Sequence, residues 1–230
     1  MLFSIALRQN PIRLVAREAS TYRHYCGGPC AVKGLPDDPR YIHVLTLDLS
    51  DPALSFLKLD AAESLPLLMN VADGFVSYSI VGENEVRLHT ARGNQEPVFE
   101  ISPMARRPLA AVPFTYEQYR AAALASAAFE DYLSSEDRRH LESLGETYSQ
   151  IGGAHSLTGS FSPYCSNPDC LGYPENPDHV GIQGAVTDML ASIEKQLAPD
   201  VSFDYCPNDI AFVYSICAQC KSISGEVEHS

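Results

Sequence analysis

The sequence predicts an α+β fold of two β-rich halves related by duplication, a helical connector between them, and a zinc-ribbon-like cysteine element towards the C-terminal end. Three observations carry this reading. The tripeptide YSI occurs at 78–80 and again at 214–216, an offset of 136 that also carries His43-Val44 onto His179-Val180. Each half holds a Gly-Gly upstream of these matches, Gly27-Gly28 and Gly152-Gly153. Between the halves, residues 115–145 carry helix signals, and only the second half has two closely spaced cysteine pairs, Cys165 with Cys170 and Cys217 with Cys220. The organisation expected is therefore 1–114 as an N-terminal β-rich lobe without the metal spacing, 115–145 as connector, and 146–230 as a C-terminal β-rich lobe with it.

Taken in order, YIHVLTLDL at 41–49 is rich in β-branched residues and alternates as a strand does. GFVSYSIVG at 74–82 reads as a second strand bounded by glycines, and EVRLHT at 85–90 follows a short Gly-Glu-Asn turn, so the two form a hairpin. PVFEI at 97–101 reads as an edge strand. Thr115 with Gln118 three residues on has the form of a capping box, in which side chains satisfy backbone N–H groups at a helix start. An Ala-rich helix to about Leu133 follows, with Ala121, Leu124, Ala125, Ala128 and Tyr132 on one face. Ser134 with Asp137 caps a second helix, ended near Leu144 by Gly145. Residues 151–177 are dominated by Gly, Ser, Pro and Asn, a loop long enough to require something that ties it down. HVGIQ at 179–183 reads as a strand and AVTDMLASIEKQL at 185–197 as a short helix. IAFVYSI at 210–216 is a strand running straight into Cys217.

Composition narrows the function classes. The 230 residues are 45% hydrophobic and 20% charged, an ordinary globular balance. With 29 acidic against 16 basic residues the formal charge is −13, a field that repels phosphate backbones and argues against nucleic-acid binding. The opening MLFSIALRQN has too short an apolar run for a signal peptide, and no stretch approaches a membrane span. A cytoplasmic, non-membrane protein is expected, and in a reducing compartment paired cysteines point to metal before disulfides.

Zinc takes four soft ligands in a tetrahedron, and short-loop pairs supply two thiolates each. Cys165, Cys170, Cys217 and Cys220 are the expected ligands, CxxxxC followed 47 residues later by CxxC. Unmetallated thiols and a redox dithiol stay open as alternatives, although a redox CxxC ordinarily precedes a helix rather than ending a strand. His24, Cys26 and Cys30, with Cys206, have spacing for a second site of three thiolates and one imidazole, and Cys206 or His155 is an alternative ligand at the first. No phosphate-binding glycine loop, GxSxG or HExxH is present. The seven histidines are dispersed, and His43 and His179 read as structural residues on strands.

Several motifs resemble the cysteine-bearing branch of the YwqG-like family of bacterial proteins of unknown function. They are Ile151-Gly152-Gly153, the pair Cys165 and Cys170, HVGIQ with Gln183, and FVYSICAQC, with the first half as a degenerate copy. Ala154-His155 replaces the usual Pro after Gly-Gly, and CxxxxC stands where CxxC is typical. The resemblance implies an α+β fold of two similar β-rich lobes and a zinc site, and it implies no activity.

The expected function is that of a non-enzymatic zinc-binding module that receives a protein or peptide partner, as a regulator or, by analogy, as an immunity protein. The alternative is a hydrolytic or other small-molecule enzyme that works in an inter-lobe cleft around His43, His155 and His179.

Overall fold

In a computed structural model of the chain, the structure describes residues 2–17, 20–57, 59, 62–89, 104–126, 130–144, 149–153, 164–175, 187–194 and 210–229. The chain builds one curled, antiparallel sheet. Its strands are β1 (Ile12–Ala16), β2 (His24–Cys26), β3 (Tyr41–Asp48), β4 (Ser64–Asn70), β5 (Phe75–Gly82), β6 (Glu85–Leu88), β7 (Arg107–Pro113), β8 (Ser149–Ile151), β9 (Thr187–Glu194), β10 (Ile210–Cys217) and β11 (Ile223–His229). They lie in the order β4-β3-β2-β7-β1-β8-β9-β10-β11-β5-β6. Strands from both sides of the connector thus share one sheet: β1 pairs with β8, and β5 pairs with β11. The curl brings β5 back to β4, where the Tyr78 hydroxyl donates to Pro66 O (2.7 Å) and accepts from Leu68 N (3.3 Å).

Three strands are buried on both faces. Residues 42–47 of β3, 65–70 of β4 and 211–217 of β10 are all buried. Both sides of the pleat are covered, which is why β4 and β10 read as near-continuous apolar runs, while the alternating β3 also buries His43 and Thr46. Leu45, Leu65, Leu67, Leu190, Ile193, Tyr214 and Ile216 form the continuous core. Removing any of the leucines to Ala costs about 2–5 kcal/mol.

The helices are few. α1 (Leu2–Gln9) places Leu7 in the core and directs Arg8 Nε to Asp188 Oδ1 (2.7 Å) on β9. α2 (Tyr116–Ser126) starts at the expected capping box: Gln118 N donates to Thr115 Oγ1 (3.2 Å) and Thr115 N to Gln118 Oε1 (3.0 Å). α3 (Ser135–Glu142) starts at the second, between Ser134 and Asp137. Gln118 reaches Ser143 and Arg120 pairs with Asp137, so the two helices form a unit. Tyr132, expected on one face of a helix running to about Leu133, sits instead in a 3-10 turn and is 76% exposed.

One element changes type. The segment read as a helix at 185–197 contains β9, a strand between β8 and β10. TDMLASIE has no strong strand signal, but buried neighbours on both edges satisfy its backbone, and tertiary pairing overrides weak local propensity. The strands expected at 41–49, 74–82, 85–90 and 210–216 are present as β3, β5, β6 and β10. The expectations at 97–101 and 179–183 lie outside the described residues.

Two parts of the sheet share a local pattern. Where β1 meets β7, Leu14 pairs with Ala111 and Ala16 with Leu109. Where β5 meets β11, Phe75 pairs with Glu226 and Tyr78 with Ile223. β3 and β9, eight residues each, both carry a bulge at their fourth residue, Val44 and Leu190. The carbonyl of each bulged residue accepts from the first glycine of a Gly-Gly: Gly27 N to Val44 O (3.0 Å) and Gly152 N to Leu190 O (2.8 Å). Both glycines are left-handed, with φ of 66° and 63°. A Cβ on either would meet backbone carbonyl oxygen, Ala105 O at 2.5 Å or Leu7 O at 2.4 Å. This correspondence matches β3 to β9 and β4 to β10, so Tyr214 takes the position of Leu67 while Tyr78 lies one strand further on, in β5.

Candidate metal centre

β10 ends at Cys217, and the chain turns through Ala218, Gln219, Cys220 and Lys221 into β11. The turn is closed by Lys221 N to Cys217 O (3.0 Å) and Cys217 N to Ser222 O (2.9 Å), with Lys221 in the left-handed region at φ 60°. The second pair sits on the loop 164–175, folded onto this turn. There Cys170 N donates to Asn167 O (3.0 Å), Cys165 N to Gly172 O (3.1 Å), and Asn167 Oδ1 accepts from Asp169 N (3.0 Å). These bonds bring Cys165 and Cys170 to one side of a compact knuckle.

The four Sγ atoms of Cys165, Cys170, Cys217 and Cys220 lie within 4.8 Å of one another. Cys165 and Cys220 are 3.5 Å apart and Cys170 and Cys217 3.9 Å. Four sulfurs each roughly 2.3 Å from a tetrahedral ion are separated by about 3.8 Å. The spacing fits a shared ion and is far too long for a disulfide, whose sulfurs lie about 2 Å apart. Three of the cysteines are buried and Cys220 is partly exposed.

Donors surround the sulfurs. Asn167 N points at Cys165 Sγ and Gly172 N at Cys170 Sγ, each at 3.4 Å. Backbone N–H groups of Cys220 and Gln219 do the same for Cys217. The Ser222 hydroxyl is 3.1 Å from both Cys165 and Cys220. N–H and O–H donors favour the thiolate, the form that binds metal. The sulfurs share their protons unevenly. Hydrogen bonds from Cys165 and Cys217 pull the Cys220 thiol well below the ordinary range, while contacts with Cys217 and Cys220, then burial, push Cys165 up. A divalent cation removes this competition by replacing the protons.

The loop is also tied to the sheet by hydroxyls. Ser166 Oγ contacts Ser224 Oγ on β11 (2.7 Å) and Ser77 Oγ on β5. This is the tether that the loop composition called for.

Among the described residues, these four cysteines are the one group of three or more metal-ligand side chains so placed. The second site expected around His24 is therefore not assembled there. His24 is buried and spoken for: its Nε2 lies 2.9 Å from Asp51 Oδ2 and its Nδ1 accepts from Asp48 N (3.1 Å). Cys26 is buried on β2 and Cys30 is exposed. His43 is likewise engaged, with Nδ1 2.8 Å from Gly27 O and Nε2 2.6 Å from Thr46 Oγ1. His155, His179 and Cys206 lie outside the described residues. Sequence reasoning missed Ser222, Ser166 and Asn167, whose only sequence signal is that they flank the cysteines. No helix among the described residues is long and apolar enough to cross a membrane.

Comparison with known proteins found no matching family model, no matching curated protein and no matching solved structure.

Proposed function

We propose that the protein is a zinc-binding module in which a four-thiolate site holds the 164–175 loop against the β10–β11 turn, and that the framed surface receives a protein or peptide partner. The observation that supports it is the closed cluster of four sulfurs within 4.8 Å, ringed by N–H and O–H donors. All-thiolate, buried coordination favours Zn2+ over harder cations and leaves no position for a substrate, so the ion is structural. The acidic charge of −13 favours a protein partner over nucleic acid.

The same reading includes kinship with the YwqG-like family and an internal duplication. What supports the duplication is the matched bulges at Val44 and Leu190, the matched Gly-Gly turns and the reciprocal pairing of β1 with β7. In such a duplication β1 is the counterpart of β7, an exchanged strand that completes the C-terminal repeat from the start of the chain.

The test is the metal content of protein purified without added metal, beside a Cys217→Ser, Cys220→Ser variant. The expected result is about one zinc per chain in the parent and none in the variant. Parent protein free of metal sinks the proposal.

A further inference from the structure

Beside the thiol cluster lies a cavity of about 560 Å³, walled by Cys165, Tyr164 and Tyr173 of the loop, Phe75 of β5, His89, and Glu226 of β11. Three of its lining residues, Phe75, Tyr164 and Tyr173, are aromatic, and one, Glu226, is acidic. Among the described residues that line it there is no lysine or arginine, and the Nε2 of His89, its one imidazole, is engaged by Ser79 Oγ at 2.7 Å. Tyr164 is 45% exposed at the rim.

We propose that this pocket takes the cationic side chain, arginine or lysine, of a peptide partner. Aromatic faces attract a cation through the ring quadrupole, and a carboxylate beside them adds a second favourable term that a neutral group of the same shape does not gain. The metal reinforces it, and here the inference rests on the zinc reading above. Four thiolates around a divalent cation carry a net charge of about −2, and Cys165 places that charge directly behind the pocket wall. The chain's charge of −13 supplies attraction at longer range. A volume in the range of about 300–1,000 Å³ that holds ligands of many atoms is larger than a lone ammonium group needs, which favours a side chain with adjoining backbone.

The experiment is a 1H–15N titration of the zinc-loaded full chain with capped pentapeptides, acetyl-Gly-Gly-Xaa-Gly-Gly-amide, where Xaa is Arg, Lys, citrulline or Glu, with putrescine as a free diamine. Zinc is quantified in the same samples. The Arg and Lys peptides are expected to move the amide signals of Tyr164, Tyr173 and Glu226 saturably. Citrulline, which keeps the shape of arginine without the charge, is expected to bind at least about fivefold more weakly. Glu226→Gln is expected to weaken the Arg peptide by about fivefold to tenfold with zinc content unchanged. Zinc-loaded protein that shows no saturable shift with either cationic peptide up to about 10 mM overturns the pocket, as does citrulline binding as well as arginine. Putrescine binding tighter than the peptides overturns the peptide assignment. Arginine binding by protein that contains no zinc supports the pocket and overturns the metal reading, so the two fail separately.

Discussion

The turn after β10 and the turn after β4 do the same job with different chemistry. Each follows a buried strand, and each ends with a left-handed residue, Lys221 at φ 60° and Gly74 at φ 62°. At the last residue of β10, Cys217 receives the N–H groups of Gln219 and Cys220 on its sulfur. At the last residue of β4, Asn70 Oδ1 accepts from Ala72 N (3.1 Å) and Asp73 N (3.4 Å), two and three residues on, as Gln219 and Cys220 are from Cys217. Asn70 Nδ2 then closes the turn on Asp73 Oδ2 (2.9 Å). One turn is a hydrogen-bonded knuckle complete in itself. The other is closed by backbone hydrogen bonds, Lys221 N to Cys217 O and Cys217 N to Ser222 O, and has thiols in place of the amide, which meet the two thiols of a second loop. Under the proposed reading, a metal would be an addition to a turn the fold already makes, and its task would be to hold the 164–175 loop.

If so, the two turns should break very differently. Cys217→Ser is expected to lose the zinc and about 4 kcal/mol or more, a fall in Tm of about 10 °C, read by metal analysis and thermal unfolding. Retained zinc with an unchanged Tm would end the comparison. Next in size are the paired glycines. Gly27→Ala and Gly152→Ala each force a Cβ into a left-handed backbone and against a carbonyl oxygen, so each should cost about 2 kcal/mol or more in denaturant unfolding. A large cost at one glycine and none at the other would show the two Gly-Gly turns to be energetically unlike.

Asn70→Ala removes three hydrogen bonds from the first turn and should cost about 1–2 kcal/mol with zinc content untouched, which separates the two turns cleanly. Ser222→Ala acts on the second turn alone. It strips the hydroxyl from Cys165 and Cys220 and should weaken zinc about tenfold in a chelator competition, with stoichiometry kept.

The smallest effect separates β3 from β9. Burial holds His43 neutral by lowering its pKa, whereas its counterpart in β9 is Met189, which does not titrate. A histidine depressed in the folded state takes up its proton first in the unfolded chain. Its penalty is therefore absent above the unfolded value of about 6.5 and grows as pH falls from there towards the depressed folded value. His43→Met should flatten the stability profile below about pH 6.5 by at most ~1.4 kcal/mol per pH unit, measured by urea unfolding across pH. An unaltered slope would mean that other groups set the acid response.

Much of this was legible before the fold. The caps at Thr115 and Ser134, the β5–β6 hairpin, the strand entering Cys217 and the four clustered cysteines all declare themselves by residue type and spacing, because each rests on contacts or pairs between near neighbours in the chain. The YSI echo, by contrast, matches β5 with β10, whereas the shared bulge pattern matches β4 with β10, because a tripeptide match cannot see a register.

Residue type and spacing therefore settle the local chemistry: where helices start, where the chain turns, and which side chains can hold a soft metal. It took the assembled sheet to make 187–194 a strand, to join β1 to β8 across the chain, and to bring Cys165 and Cys170 to Cys217 and Cys220. The reason is range. Caps and turns are settled by groups a few residues apart, whereas the type of a weakly patterned segment and the closing of a long loop depend on which buried edges and donors the rest of the fold presents to them.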